Sequence, residues 1–131
     1  MEKDGPKVSL FSFGYKYGAP LDAQLIFDLR ALPNPFWVPD LRQGSGLDPA
    51  IAAYVLESAE GTELLTSLVP LIHSSTRIWA AAGKGTFTAA LGCTGGHHRS
   101  VAMVIAIADH LRELGIDVST WHRALTRGGH V

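Results

Sequence analysis

The sequence has a single cysteine, Cys93, in 131 residues. One cysteine cannot form an internal disulfide, which is typical of proteins from a reducing cytoplasm. The chain also lacks an excess of charge of either sign, since 11 Lys and Arg residues face 12 Asp and Glu residues and the formal net charge is −1. This balance gives no overall basic surface. Tight nucleic-acid binding would therefore need a local basic patch, or an oligomer that concentrates one.

Long apolar runs are missing too. The longest, Val101 to Ala108, is far too short to cross a bilayer, and Met1 to Lys7 are polar and charged, so no export signal is expected. What the sequence does contain is 47% hydrophobic and 18% charged residues, which is typical of a folded domain. We therefore expect a soluble, cytoplasmic protein in which residues 1–131 form a single domain.

Apolar runs separated by glycine and proline predict an α/β fold. Strands are predicted at 7–13, 25–29, 86–91 and 118–122, and the second of them is expected to be buried on both faces. Helices are predicted at 49–57, from 60–62 to 82, and at 100–114, and Pro70 predicts a kink or a break in the second helix. The order favours a small, mostly parallel sheet flanked by helices. The tail, 126–131, is expected to be loose.

Two loops stand out. Residues 14–18 form an aromatic loop with Lys16 at its tip, where the lysine could contact a phosphate while a tyrosine stacks on a sugar or base; the alternative is an ordinary exposed turn. Residues 32–46 are rich in proline and glycine, and a long loop of this kind inside a compact domain is often functional. Asp28 and Arg30, at the end of the second strand, are either ligand-binding residues or an ion pair that braces the neighbouring loop.

A glycine-rich turn before the last long helix is the strongest candidate for a functional site. Its sequence from Gly92 to Ser100 is GCTGGHHRS. A turn that leads into a helix presents unpaired backbone N–H groups, and the helix dipole adds positive potential there. The pattern therefore predicts a site for phosphate or another tetrahedral anion, made of Cys93, Thr94, Gly95, Gly96, His97, His98, Arg99 and Ser100.

The spacing Cys93-x5-Arg99 also matches phosphatases in which a cysteine attacks phosphorus beneath an arginine-bearing loop. Two features count against this alternative. Gly92 occupies the position where those phosphatases usually carry histidine, and the general acid would have to come from Asp22, Asp28 or Asp40. We therefore expect a binding domain and not an enzyme, with a cysteine-dependent phosphatase as the alternative.

No metal and no cofactor is predicted. Cys93, His97 and His98 lack a second pair of ligands, and adjacent histidines on a helix face in different directions. His98 is better suited to donate to a bound anion or its sugar, or to orient a partner group.

Five segments carry a resemblance to a known family. They are SFGYKYG at 12–18, FDLR at 27–30, LPNPFW at 32–37, GLD at 46–48 and GCTGGHHRSV at 92–101. In this order they resemble the C-terminal domain of the RNase adapter protein RapZ family, from about Val8 to Arg123, and together they are highly specific. The N-terminal P-loop domain of the family is not matched, because G-x-x-x-x-G-K-[ST] does not occur, so the chain looks like a stand-alone C-terminal domain.

The resemblance implies a fold similar to a phosphofructokinase subdomain. It also implies a regulatory domain that binds an amino-sugar phosphate such as glucosamine-6-phosphate, binds a small regulatory RNA and forms a homo-oligomer. Nucleotide hydrolysis is not implied, and Phe36 stands where some members have a histidine, which removes one polar contact. The matching ligand positions are Lys16, Cys93, Thr94, Gly95, His98 and Arg99, and the RNA contacts would be Lys16, His98 and Arg99.

Overall fold

The computed structural model describes residues 5–128, and the side chains of residues 5–125. Four strands form one sheet: β1 (Lys7–Gly14), β2 (Leu25–Asp28), β3 (Phe87–Cys93) and β4 (Asp117–His122). Their order across the sheet is β2-β3-β1-β4, and each neighbouring pair is parallel. The predicted α/β class and its parallel sheet are therefore confirmed.

Within residues 5–128, four α-helices accompany the sheet: α1 (Pro49–Leu56), α2 (Ala59–Ala81), α3 (Arg99–Glu113) and α4 (Arg123–Gly128). The Asp48 carboxylate accepts a hydrogen bond from the Ala50 N–H at 3.0 Å, so α1 begins with the predicted cap followed by proline. Gly115 follows the end of α3 with φ of 85°, the left-handed conformation that ends helices. No helix within residues 5–128 combines the length and the hydropathy needed to cross a membrane.

The main core lies on one face of the sheet. Val8 and Leu10 of β1 point into it together with alternate residues of β3, and α1, α2 and α3 all cover this face. Phe11 and Phe13 point to the opposite face, where they form a smaller cluster with Ala90. The alternation of buried side chains along β1 thus fixes which face carries the helices.

The expectation that β2 is buried on both faces is wrong. β2 is an edge strand that pairs only with β3, and its burial alternates, with Ile26 and Asp28 exposed. An apolar run predicts a strand but does not predict its position in the sheet.

Two smaller expectations also need correction. Pro70 was predicted to kink or break the second helix, and the break is absent, because α2 continues through Pro70 and buries Leu68, Ile72 and Thr76. Part of the tail that was expected to be loose, residues 126–128, belongs to α4, while 129–131 lie outside the described residues.

The sheet brings three loops to one edge. Parallel strands end at the same edge, and β1, β2 and β3 end there with Gly14, Asp28 and Cys93. Ligands of open α/β sheets bind beyond the carboxyl ends of the strands, so this edge is where a site is expected.

Candidate functional site

A cavity of about 540 Å³ opens at this edge of the sheet. Its floor is the glycine-rich turn that links β3 to α3, Lys16 lies at one side, and the loop after β2 forms the other side. The described lining residues include no aspartate or glutamate, although the whole chain is slightly acidic. The lining residues are Lys16, Asn34, Phe36, Trp37, Arg42, Gln43, Gly44, Cys93, Thr94, Gly95, His97, His98 and Arg99.

The aromatic loop and the glycine-rich turn are joined by their backbones. The Lys16 N–H donates to the Thr94 carbonyl oxygen at 3.2 Å, and this contact holds the lysine beside the turn. Gly96 has φ of 78°, a conformation that other residues rarely adopt. A Cβ on Gly96 would also lie 2.6 Å from the Gly14 nitrogen, so glycine is needed at position 96 for both conformation and space.

Arg99, the first residue of α3, is buried with only 4% of its surface exposed. Its Nη1 donates to the carbonyl oxygens of Arg30, at 2.8 Å, and Leu32, at 3.2 Å, so part of the guanidinium ties α3 to the loop after β2. Its Nε is buried without a hydrogen-bond partner. An unpaired buried donor costs about 1–3 kcal/mol, and this nitrogen has no surface exposed to the cavity.

The two histidines of the turn both line the cavity. His98 Nε2 lies 2.7 Å from the Gly44 carbonyl oxygen, and since a carbonyl only accepts, this nitrogen carries the proton. Burial lowers the pKa of His98 below its ordinary value, and burial followed by the charge of Lys16 lowers that of His97. The neutral form of both histidines is therefore favoured, and both line a cavity whose other charged lining residues are positive.

Cys93 is 2% exposed, and its Sγ lies 3.2 Å from the Ser100 hydroxyl oxygen. Ser100 is itself fully buried and does not line the cavity. Gly92, which precedes the cysteine, packs directly under the Phe13 ring, so a histidine at this position would not fit. This packing explains why the chain departs from the phosphatase pattern there.

Asp28 and Arg30 form an ion pair outside the cavity. The Arg30 guanidinium donates to the Asp28 carboxylate at 2.6 Å, and these hydrogen bonds lower the Asp28 pKa. The same guanidinium lies over the Tyr15 ring, 3.9 Å from its centroid. Since Tyr15 precedes Lys16, the ion pair braces the loop that carries the lysine.

An aromatic wall, formed by Phe36, Trp37 and Arg42, faces the turn across the cavity. Trp37 is 73% exposed and Phe36 44% exposed, and their rings meet edge to face. Arg42 lies over the Phe36 ring, 5.0 Å from its centroid, and its Nε donates to the Phe36 carbonyl oxygen at 2.9 Å. The proline- and glycine-rich composition of residues 32–46 predicts a functional loop but does not single out Trp37 or Arg42. The available signal was two adjacent aromatic residues within a proline-rich loop.

The structure therefore assembles part of the predicted residue set. The cavity brings together Lys16, Cys93, Thr94, Gly95, His97, His98 and Arg99. It does not include Asp28, Arg30, Gly96 or Ser100, which lie behind it or beside it. Within the residues whose side chains are described, no group of three His, Cys, Asp or Glu residues is placed to hold a metal ion.

Comparison with known proteins gives one family. The family model described as "RapZ C-terminal domain" matches residues 6–126. Proteins named "Nucleotide-binding protein" from Nitratidesulfovibrio vulgaris and Saccharopolyspora erythraea are 45% and 47% identical to 93% and 92% of the chain. A relative of the same name from Corynebacterium aurimucosum is 46% identical over 92% of the chain. The chain spans only 41–42% of the length of these three relatives.

Proposed function

We propose that this chain, which belongs to the RapZ C-terminal domain family, a family of regulatory domains, binds a phosphorylated metabolite in the cavity at the carboxyl edge of its sheet. The observation that carries the proposal is a cavity whose described lining combines Lys16, Arg42 and Arg99 with the glycine-rich turn and includes no carboxylate. A phosphate bound there would meet these positive charges and the positive end of the α3 dipole. An amino-sugar phosphate, which the family resemblance implies, is the first ligand to test.

The proposed role of each residue follows from its position. Arg99 and the backbone of the turn hold the phosphate, and Lys16 adds a positive charge at the rim. His98 holds the turn against the Gly44 carbonyl, and it contacts the remainder of the ligand. Cys93 supports the floor of the cavity from within, which favours binding over cysteine-dependent hydrolysis.

RNA binding and self-association form the second candidate function, again implied by the family. The observation in its favour is the grouping of Lys16, Arg42 and Arg99 around one cavity of a chain whose net charge is −1. One copy offers few phosphate contacts, so we propose that a homo-oligomer presents several such cavities to one RNA. The curated relatives are longer proteins, and their name describes those whole proteins and not this chain.

Calorimetric titration with inorganic phosphate and with glucosamine-6-phosphate tests the proposal. Arg99→Ala should weaken binding by about 1.5–3 kcal/mol, the usual contribution of a charge-assisted hydrogen bond. Because Arg99 is buried, thermal denaturation must show that the variant is folded. Lys16→Met is a second variant at an exposed position, and Lys84→Met, which removes an exposed lysine at the opposite edge of the sheet, is its matched control. Unchanged phosphate affinity in folded Arg99→Ala and in Lys16→Met would refute the anion site.

A further inference from the structure

A second cavity, of about 310 Å³, lies on the face of the sheet opposite to α1, α2 and α3, and we call it the open-face pocket. In the sheet Ser9 pairs with Thr88 and Phe11 pairs with Trp121, so these four side chains lie on one face and form the floor of the pocket. The loop between β1 and β2 adds Asp22, and Arg123 follows β4. The pocket shares no described lining residue with the cavity at the carboxyl edge.

The floor of the open-face pocket is aromatic. The Trp121 and Phe11 rings are stacked, with centroids 4.5 Å apart and planes inclined by 18°. Phe11 is thereby covered and only 5% exposed, whereas Trp121 keeps 45% of its surface exposed. The indole therefore covers the core with one side and presents apolar surface to the pocket, which suits an apolar or aromatic group of a ligand.

Two opposite charges line the same pocket without pairing with each other. Asp22 is exposed, and within residues 5–125 its carboxylate forms no ion pair with Arg123 or with any other residue. Arg123 Nη2 donates to the Gly18 carbonyl oxygen, and the guanidinium carbon lies 5.6 Å from the Phe13 ring centroid. These contacts hold the guanidinium in place and leave its other nitrogens as donors. The pocket thus offers one acceptor for a cation and one donor for an anion.

We propose that the open-face pocket binds a zwitterionic α-amino acid with an apolar or aromatic side chain. Asp22 receives the ammonium group, Arg123 receives the carboxylate, and the side chain of the ligand packs on Trp121. The hydroxyl groups of Ser9 and Thr88 can each donate or accept a hydrogen bond beside the charged groups. This site goes beyond the proposed function and does not depend on the phosphate site.

Charge and size both favour this class of ligand. The charges of Asp22 and Arg123 sum to zero, so a zwitterion leaves neither of them uncompensated, whereas an anion or a cation would leave one. The volume of about 310 Å³ lies at the lower end of the range for cavities that hold ligands, which suits a molecule as small as an amino acid.

The experiment compares three ligands by calorimetry on the whole chain: L-phenylalanine, L-phenylalaninamide, which lacks the carboxylate, and N-acetyl-L-phenylalanine, which lacks the ammonium group. L-phenylalanine should bind about 2- to 5-fold more tightly than either analogue, the usual contribution of an exposed ion pair. Because Arg123 also holds Gly18, removing the carboxylate from the ligand is a cleaner test than removing the arginine.

Asp22→Asn tests the ammonium contact from the side of the protein. It should weaken L-phenylalanine by about 2- to 5-fold and leave the affinity for N-acetyl-L-phenylalanine unchanged, since that analogue has no ammonium group to lose a partner. Asp40→Asn is the matched control, because Asp40 is equally exposed and does not line the pocket. Both variants should keep the melting temperature of the wild type.

Tryptophan fluorescence gives an independent readout of where the amino acid lies. L-phenylalanine should change the wild-type emission, and Trp121→Phe should lose this change while it keeps the affinity. Trp37→Phe is the matched control, because Trp37 lines the other cavity and its loss should leave the change in emission intact. Inorganic phosphate should not compete with L-phenylalanine, since the two cavities share no described lining residue.

Each alternative result has a definite meaning. If L-phenylalaninamide binds as tightly as the amino acid, the pocket recognises a cation alone and the zwitterion assignment is overturned. Competition with phosphate would place the amino acid in the other cavity and overturn the site. If neither L-phenylalanine nor L-leucine binds, the amino-acid pocket is wrong, and the phosphate site stands or fails by its own titration.

Discussion

The backbone of Gly95 lies so close to Gly14 that a Cβ on Gly14 would be 2.6 Å from both the carbonyl carbon and the carbonyl oxygen of Gly95. The reverse does not hold, because a Cβ on Gly95 would meet only His97 Nδ1, at an ordinary distance of 3.6 Å. Glycine at position 14 is therefore what allows the end of β1 to lie against the glycine-rich turn. Its φ of −110° is open to any residue, so space and not conformation is the constraint.

The first prediction follows from this asymmetry. Gly14→Ala should lower the free energy of unfolding by about 1–3 kcal/mol, because the added methyl group would push the end of β1 and the backbone of Gly95 apart. It should also weaken phosphate binding, since the turn must move. Urea denaturation and phosphate titration measure the two effects. Gly95→Ala is the matched control and should leave the free energy of unfolding within about 0.5 kcal/mol of the wild type; an equal loss in both variants would contradict the explanation.

The second prediction separates binding from catalysis. We expect no turnover of a generic phosphate ester such as p-nitrophenyl phosphate between pH 5 and 8, and we expect Cys93→Ser to keep its affinity for phosphate. A serine hydroxyl at this buried position can still pair with the Ser100 hydroxyl, so the cost in stability should be about 1 kcal/mol or less. Hydrolysis by the wild type that disappears in Cys93→Ser would establish the phosphatase alternative.

The third prediction concerns pH. Burial lowers the pKa values of His97, His98 and His122, so in the pH range just below 6.5 the unfolded chain binds more protons than the folded chain. The free energy of unfolding should therefore fall as the pH is lowered from 7 through these depressed pKa values. Thermal denaturation in a series of buffers from pH 7.5 to 5 measures the slope, and His98→Gln should reduce it. A free energy of unfolding that rises as the pH is lowered over this range would contradict the lowered pKa values of these histidines.

Protonation of the cavity histidines should also strengthen anion binding. Sulfate is the appropriate probe, because it stays doubly charged over this range whereas a phosphate ester gains a proton near pH 6. Sulfate affinity should rise as the pH falls below 6.5, and the rise should be smaller in His97→Gln. His122→Gln is the matched control, because His122 does not line the cavity. A sulfate affinity that does not change with pH would show that the charge of the histidines does not act on the bound anion.

The fourth prediction concerns RNA and assembly. Light scattering after size exclusion should show a homo-oligomer, and any affinity for a structured RNA should fall steeply between 50 and 200 mM salt, because binding through phosphate contacts releases counterions. Lys16→Met should reduce the slope of that salt dependence, and Lys84→Met should not. A monomer that does not shift a structured RNA at low salt would reject this second candidate function and leave the phosphate site unaffected.

Local signals in the sequence were sufficient for most elements of the fold. Asp48 followed by proline marked the start of α1, and Gly115 marked the end of α3, because caps and left-handed glycines depend on short-range geometry. The parallel sheet followed from the alternation of strands and helices. Pro70 does not end the helix, because the packing of α2 against the core outweighs the local penalty of a proline.

The candidate site was less predictable, because its details depend on contacts between distant segments. The turn was recognisable from its glycines and from Arg99, and the cavity includes seven of the predicted residues. The direction of the Arg99 guanidinium, toward the carbonyls of Arg30 and Leu32, could not be read from spacing along the chain. The same holds for the edge position of β2, which is decided by strand order and not by the sequence of the strand.

The central pairing of β1 with β3 has a consequence for when binding becomes possible during synthesis. Lys16 and the glycine-rich turn become neighbours only when β1 pairs with β3, and β3 begins at Phe87, far along the chain from β1. Until α3 has also left the ribosome, the nascent chain has neither the helix dipole nor Arg99, and it has no cavity. Ligand binding should therefore appear in one step, once α3 has emerged, and a ligand that binds only the folded domain would stabilise it against unfolding without guiding the earlier steps of folding.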